Sequence, residues 1–239
     1  MKSNKNIKIG SFNCQGIATS TVKQQMLADD FENYGMTALA LQETHLKEYG
    51  AITLISSTSK RYLLYYSGHK STSENGVGIV ISSSKNVTFT PINDRICQIT
   101  TKINNNQTLH IVSAYAPTLE KSERNPEVRE KFYTDLDSVI RKHKSRHATI
   151  IAGDFNAKTG SAKNDKIYHL TIGKYGKGQV NNNGYHLLNF AKSNDLRLTN
   201  TFFRHKAPHI TTWEAPERTN KVIDRQSGTE RQARYREPN

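Results

Sequence analysis

Short apolar runs separated by turn residues organise the first half of the chain. Residues 7–15 (Ile-Lys-Ile-Gly-Ser-Phe-Asn-Cys-Gln) alternate, predicting a strand with Asn13 near its C-terminal end. Residues 38–41 (Ala-Leu-Ala-Leu) predict a buried strand that delivers Gln42, Glu43, Thr44 and His45 at its end. Further strands are predicted over 62–66, Val77–Ser82, 87–92, 96–103 and Thr108–Tyr115. Turn signals such as Glu74-Asn75-Gly76 and Asn104-Asn105-Asn106 separate them. A strand about every ten residues is the rhythm of a hairpin-rich sheet protein.

Helical spacing interrupts this rhythm three times. In 19–33, Val22, Met26 and Leu27, then Phe31 and Tyr34, recur at helical intervals, with Thr19, Ser20 or Thr21 as N-cap and Gly35 as stop. The clearest helix is 127–141, with Asn125 as cap, Pro126 in the first turn and one apolar face of Val128, Phe132, Leu136, Val139 and Ile140. That face is expected to pack on a sheet. A third helix, 184–194, carries Tyr185, Leu187, Leu188 and Ala191. It feeds a predicted strand at 196–203, and Thr211-Thr212-Trp213 suggests one more. No internal repeat interrupts the order.

Between the second and third helices lies the stretch around which the chain is organised, 148–159 (Ala-Thr-Ile-Ile-Ala-Gly-Asp-Phe-Asn-Ala-Lys-Thr). Its small-to-apolar start, β-branched at the centre, fits a strand buried on both faces. Asp154 and Asn156 follow two residues apart; in extended chain they would emerge side by side. A carboxylate beside a neutral amide suits a hard divalent cation, or a water about to attack phosphorus. The same Gly-Asp-x-Asn spacing also fits an ordinary turn. The loop that follows, 158–182, interleaves Lys158, Lys163, Lys166, Lys174 and Lys177 with Tyr168 and Tyr175. It reads as a long loop over the site, suited to backbone phosphates and stacked bases, or equally as a solvated loop.

Composition narrows the partners. A chain of 239 residues is long enough for one large domain with a real core. Its mean hydropathy is −0.71, and no apolar stretch approaches the ~18 residues of a membrane span. The N-terminus runs straight into a strand-like segment, so no secretory leader is expected and no membrane partner. Cys14 and Cys97 are the two cysteines, read as reduced, structural thiols of an intracellular protein. Lys plus Arg number 34 and Asp plus Glu 21, a formal charge of +13. So basic a balance favours a polyanion, nucleic acid above others, through phosphate contacts and counterion release. Six of these cations (Arg218, Lys221, Arg225, Arg231, Arg234 and Arg236) crowd the last 22 residues, yet the excess stays positive without them.

Asn13, Glu43, Tyr115, Asp154 and Asn156, with Thr212 as a further candidate, all stand at or just beyond the ends of predicted strands. Singly each is a common solvated or packed residue. Together they outline one polar cleft of two carboxylates, amides and a phenol.

These residues sit within Ser-Phe-Asn-Cys-Gln-Gly (11–16), Leu-Gln-Glu-Thr-His (41–45), Gly-Val-Gly-Ile (76–79), Ser-Ala-Tyr-Ala-Pro (113–117) and Ile-Ile-Ala-Gly-Asp-Phe-Asn (150–156). In that order the five motifs resemble the endonuclease/exonuclease/phosphatase superfamily. They are most similar to the apurinic/apyrimidinic-type endonuclease domains of non-LTR retrotransposons and their domesticated relatives, and the likeness runs from about residue 7 to 224. The resemblance implies an α/β (α+β), four-layered sandwich of two packed, mostly antiparallel sheets flanked by helices. It implies Mg²⁺ (or Mn²⁺) as cofactor, DNA as partner, a nuclear monomer, and a place within a larger retrotransposon polyprotein. Glu43 would be the principal metal ligand, with Asn13 beside it on the metal or the scissile phosphate. Tyr115 would hydrogen-bond the phosphate or stabilise the leaving oxygen. Asp154 would orient or deprotonate the attacking water, and Asn156 would hold the phosphate next to it. Thr212 matches a position that supports the site or contacts DNA. Asp224 matches the Asp of an Ile-Asp-Tyr strand that anchors a catalytic His.

After Asp224 the sequence departs from this pattern. Arg225 takes the Tyr position, and 225–239 has no apolar periodicity and no Ser-Asp-His, reading as a basic, disordered tail. The expectation is therefore a domain over 1–224 that looks truncated, without the last strands of one sheet, and with impaired turnover. Three functions follow: a Mg²⁺-dependent DNA-nicking endonuclease, a nucleic-acid-binding remnant, or a phosphatase or phosphodiesterase of the same superfamily acting elsewhere.

Overall fold

The computed structural model describes residues 7–82, 86–103, 107–144, 147–161 and 167–204. Thr212, Trp213, Asp224 and the 225–239 tail lie outside the described residues, as does the proposed boundary at 224.

The chain opens with β1 (Ile9–Asn13), α1 (Thr21–Asn33) and β2 (Ala38–Gln42). Ser20 caps α1, its side chain accepting from the Lys23 amide. The face that α1 buries is Leu27, Ala28 and Phe31, while Val22 and Met26 stand 65% and 60% exposed. Periodicity alone had put all the apolar positions on one face. The residue that completes the buried stripe is Ala28, which its small size hid.

Four strands follow, β3 (Tyr49–Ile55), β4 (Arg61–Ser67), β5 (Val77–Ser82) and β6 (Val87–Asn93), then β7 (Ile96–Lys102) and β8 (Thr108–Tyr115). Helices α2 (Leu119–Arg124) and α3 (Pro126–Ile140) lead to β9 (Ala148–Asp154), and α4 (Asn182–Ser193) and a 3₁₀ turn at Thr199–Thr201 are the last elements among the described residues. Asn125 stands at the N-cap of α3 but makes no side-chain capping bond; Pro126 supplies the start.

Two mixed sheets result. One has the order β1-β2-β5-β4-β3, the other β6-β7-β8-β9. All pairings are antiparallel except β1 with β2 and β8 with β9. The layers are visible in the core. Leu27, Ala28 and Phe31 of α1 pack on Leu39, Leu41, Leu64 and Val80, on the outer face of the first sheet. Ala38, Val77, Ile79 and Ile81 meet Cys97, Ile99, Leu109 and Ile111 between the sheets. Phe132, Leu136, Val139 and Ile140 of α3, with Leu187 and Phe190 of α4, cover Ile96, Val112 and Ala114 on the far side. Burying each sheet on two faces explains why β2 has no exposed residue at all.

Two expectations change. β9 is not buried on both faces: among the described residues it pairs with β8 alone, at the sheet edge, and Ile150 is 38% exposed. The strand expected over 196–203 is a single bridge, Leu198 with Ile172, followed by the 3₁₀ turn. Thr201 decides this, because its hydroxyl donates back to Leu198 O (2.6 Å) and accepts from the Gly173 amide (2.7 Å). Such local hydroxyl bonds compete with a strand ladder.

Cys14 and Cys97 are both free and buried. Burial pushes the Cys14 thiol up to about 12 and raises that of Cys97 further still, so neither is a ready nucleophile.

Candidate active site

Each sheet contains one parallel pair, and both pairs end at the same place. Asn13 of β1 is in register with Gln42 of β2, and Tyr115 of β8 with Asp154 of β9. Four strand C-termini are thereby delivered to one end of the sandwich. The sheets are tied just beneath it: Gln42 Nε2 donates to Ser113 Oγ (3.2 Å), which donates to Leu41 O (2.9 Å). Ser11 Oγ donates to Gln42 Oε1 (3.1 Å), so the buried amide of Gln42 is held from both sides.

Asn13 joins the two halves of the cleft. Its Nδ2 donates to Glu43 Oε1 (2.8 Å) and to Asp154 Oδ2 (3.3 Å), while its Oδ1 accepts from the Gln15 amide (3.2 Å). Two carboxylates thus face one amide nitrogen. The Tyr115 hydroxyl donates to the same Glu43 oxygen (2.7 Å). Burial, then that bond to Glu43, pushes the Tyr115 phenol well above its usual range, so it stays protonated and acts as a donor. Arg95, nearly buried, braces it: Nη1 donates to Tyr115 O (3.2 Å) and the guanidinium carbon lies 5.3 Å from the ring centre. Nη2 of Arg95 donates to Asn75 Oδ1 (2.8 Å).

Asp154 and Asn156 satisfy both readings of their spacing. β9 runs through Asp154, and then the chain turns. The Asn156 amide donates to Asp154 Oδ1 (3.0 Å), an Asx-type turn, and Asn156 sits at φ +48°. Its side chain therefore does not run parallel to that of Asp154. Nδ2 donates sideways to Ala116 O (2.9 Å), binding the β9 end to the β8 end. Glu43 is also left-handed, at φ +53°. Two non-glycine residues held in that region within one cleft mark backbone strain concentrated where the polar side chains converge.

All five described site candidates, Asn13, Glu43, Tyr115, Asp154 and Asn156, are brought together; Thr212 and Asp224 lie outside the described residues. Residue-by-residue reading missed Arg95, Gln42 and Ser113. Gln42 had a signal, since a polar residue ending a fully apolar strand must find a partner. Arg95 had none, because its partners come from distant parts of the chain.

The donor set fits a magnesium-like cation. Every convergent group is a hard oxygen or amide, and Mg²⁺ is commonly held by one or two carboxylates with waters and substrate phosphate completing the shell. Among the described residues no three histidine, cysteine or carboxylate side chains form an all-protein cage, here or elsewhere. The salt bridges found among them pair other carboxylates, leaving Glu43 and Asp154 held by neutral donors. In this arrangement Asn13 turns its amide nitrogen, not its oxygen, toward Glu43.

Two mixed, helix-flanked sheets with such a strand-end cluster form a nuclease/phosphodiesterase-type fold. The chain belongs to the Endonuclease/Exonuclease/phosphatase family, whose pattern matches residues 10–220. It is 28% identical over 214 residues to craniofacial development protein 2 of Bos taurus, covering 87% of this chain and 33% of that protein. To the same protein of Tragulus javanicus it is 27% identical over 214 residues, covering 87% and 34%. The chain therefore spans about a third of the length of the curated relatives it matches. The solved structure of AP endonuclease LMAP from Leishmania major shares the fold at a TM-score of 0.53 and 14% identity, covering 79% of this chain and 66% of that one.

Proposed function

We propose that this chain is a divalent-cation-dependent phosphodiesterase that nicks DNA, of the type carried by retrotransposon endonucleases, working in the nucleus. The observation that carries the reading is the convergence of Glu43 and Asp154 on Asn13, with the Tyr115 hydroxyl on the same Glu43 oxygen. The charge of +13 favours a polyanionic substrate.

Glu43 is the group to hold Mg²⁺ or Mn²⁺, with Asn13 beside it. Bound there, the cation would neutralise charge on the phosphate oxygens. Asp154, an acceptor fixed by the Asn156 amide and by Asn13, is placed to orient a water and take its proton. Asn156 spends one Nδ2 hydrogen on Ala116 O, leaving the other for a phosphate oxygen. Tyr115, kept protonated, gives its single hydrogen to Glu43 here and would turn it to the phosphate or the departing 3′-oxygen once a cation takes Glu43.

The test is nicking of supercoiled plasmid with and without Mg²⁺, for the natural sequence beside Glu43→Ala. Metal-dependent nicking that falls by about 10²-fold or more in Glu43→Ala supports the proposal. If neither protein nicks, yet both bind plasmid with a steep salt dependence, the charge is what matters and the chain binds nucleic acid without cutting it. Cleavage of RNA or of a lipid phosphate in place of DNA would move the substrate within the superfamily.

A further inference from the structure

The first turn of α4 is clamped onto the cleft. Asn181, the N-cap, accepts from the Gly184 amide (2.8 Å) and from the Lys158 amide (3.0 Å), and its own amide donates to Lys158 O (3.1 Å). A Cβ at Gly184 would stand 1.9 Å from Lys158 O, so only glycine lets the turn approach this closely. Between them Asn183, 1% exposed, donates from Nδ2 to Pro117 O (3.0 Å) and to Asn156 O (3.1 Å). Its Oδ1 has no partner among the described residues. A buried, unpaired carbonyl is costly, and turning the amide over would set that oxygen against two carbonyls. What retains an amide here is its pair of donors.

Those donors grip the two loops that carry the site. Pro117 follows Tyr115 by two residues, and Asn156 follows Asp154 by two. Asn156 already bonds Ala116 through its own side chain, and the Ala116 amide donates to Asp154 O (2.9 Å). Asn183 closes this ladder from behind, holding Asn156 by its carbonyl while the Asn156 side chain bonds Ala116 O. Building on the proposed phosphodiesterase reading, we infer that Asn183 is a positioning residue, which keeps Asn156 in its left-handed conformation and fixes the spacing between the Tyr115 and Asp154 loops.

The experiment compares Asn183→Ala and Asn183→Asp with Leu188→Ala, which loosens α4 in the core at a residue 1% exposed but leaves the clamp intact. Nicking is measured well below each melting temperature. Both Asn183 variants should lose kcat by about tenfold or more with KM little changed, while Leu188→Ala keeps its kcat despite a lower melting temperature. In parallel, NMR follows the Asn156 backbone N–H and side-chain NH₂ signals, which need no turnover. They should shift, and the backbone N–H should exchange faster, in the Asn183 variants alone. Should either variant not fold, Asn183→Ser, which keeps one hydroxyl donor and sets no carboxylate against the two carbonyls, carries the comparison. Unmoved Asn156 signals, or activity that merely tracks melting temperature across all three variants, overturns the inference. A natural sequence that does not nick would instead overturn the phosphodiesterase reading, and the NMR comparison would still decide the role of Asn183.

Discussion

Replacing Gly153 by alanine should damage both the fold and the site. Gly153 is paired with Ala114 where β9 lies beside β8, one residue before Asp154. An added Cβ would stand 2.0 Å from Ala114 O and 2.9 Å from Ala114 C, whereas real Cβ atoms keep at least 3.0 Å from such neighbours. The obstacle is backbone on both sides, so no side chain can swing away. The strands must part by about 1.0 Å (3.0 − 2.0) at that point. Overpacking of this kind costs about 1–3 kcal/mol, which at roughly 2–4 °C per kcal/mol for a chain of this size lowers the melting temperature by roughly 2–12 °C. Asp154 is the next residue, and its carbonyl accepts from Ala116, so the carboxylate moves with the strand. A displacement near 1 Å costs on the order of 10²-fold in rate. The assays are thermal unfolding and Mg²⁺-dependent nicking at a temperature where both proteins are folded. An unchanged melting temperature would refute the steric argument. A lowered one with full activity would refute the link from strand spacing to Asp154.

The remaining expectations turn on other side chains. Tyr115→Phe removes the donor on Glu43 Oε1 without emptying space, so nicking should fall by about 10²-fold while the melting temperature changes little; full activity would exclude Tyr115 from the chemistry. The opposite pole of the second sheet should give the protein an acid-sensitive stability. His143 stacks on His110 at 3.8 Å, its ring nitrogens on Gln98 and Thr149, and His110 is joined to Thr100 and His147. Burial first, then the neighbouring histidines, lowers His143 to about 4 from the ordinary 6.5, and burial with His147 lowers His110 as well. In that window the unfolded chain binds more protons, so the contribution is complete above about pH 6.5 and is lost as pH falls toward 4. The melting temperature should drop between pH 7 and 5, and His143→Gln should flatten that slope; equal slopes would refute the assignment.

Much of this protein was legible before any folding was considered. Of the cap candidates Thr19, Ser20 and Thr21, it is Ser20 that caps α1. The all-apolar 38–41 run and the Phe132–Leu136–Val139 face are local patterns, and each became the element it predicted. So did the strand-end placement of Asn13, Glu43, Tyr115 and Asp154, because a polar group at the end of a buried strand is visible in one dimension. Where the local signal was thin, reading failed. β3 was missed because apolar Tyr49, Ala51 and Ile55 stand on its exposed face and Gly50 on the other, so its residue types do not alternate, and α2 because its six residues, Leu-Glu-Lys-Ser-Glu-Arg, carry no apolar repeat.

Sequence by itself thus determined most of the elements, the five residues Asn13, Glu43, Tyr115, Asp154 and Asn156 of the cleft and, through its ordered motifs, the family. Tertiary structure alone decided how that inventory is wired. Asn13 meets Asp154 across 141 residues of chain and Tyr115 meets Glu43 across 72. Whether Asn13 offers nitrogen or oxygen, whether Asn156 turns left-handed and what Asn183 holds are set by which groups the two parallel strand pairs bring within bonding distance. The reason is physical. Helix and strand signals arise between residues a few positions apart, whereas hydrogen bonds at the site join groups that only sheet closure makes neighbours.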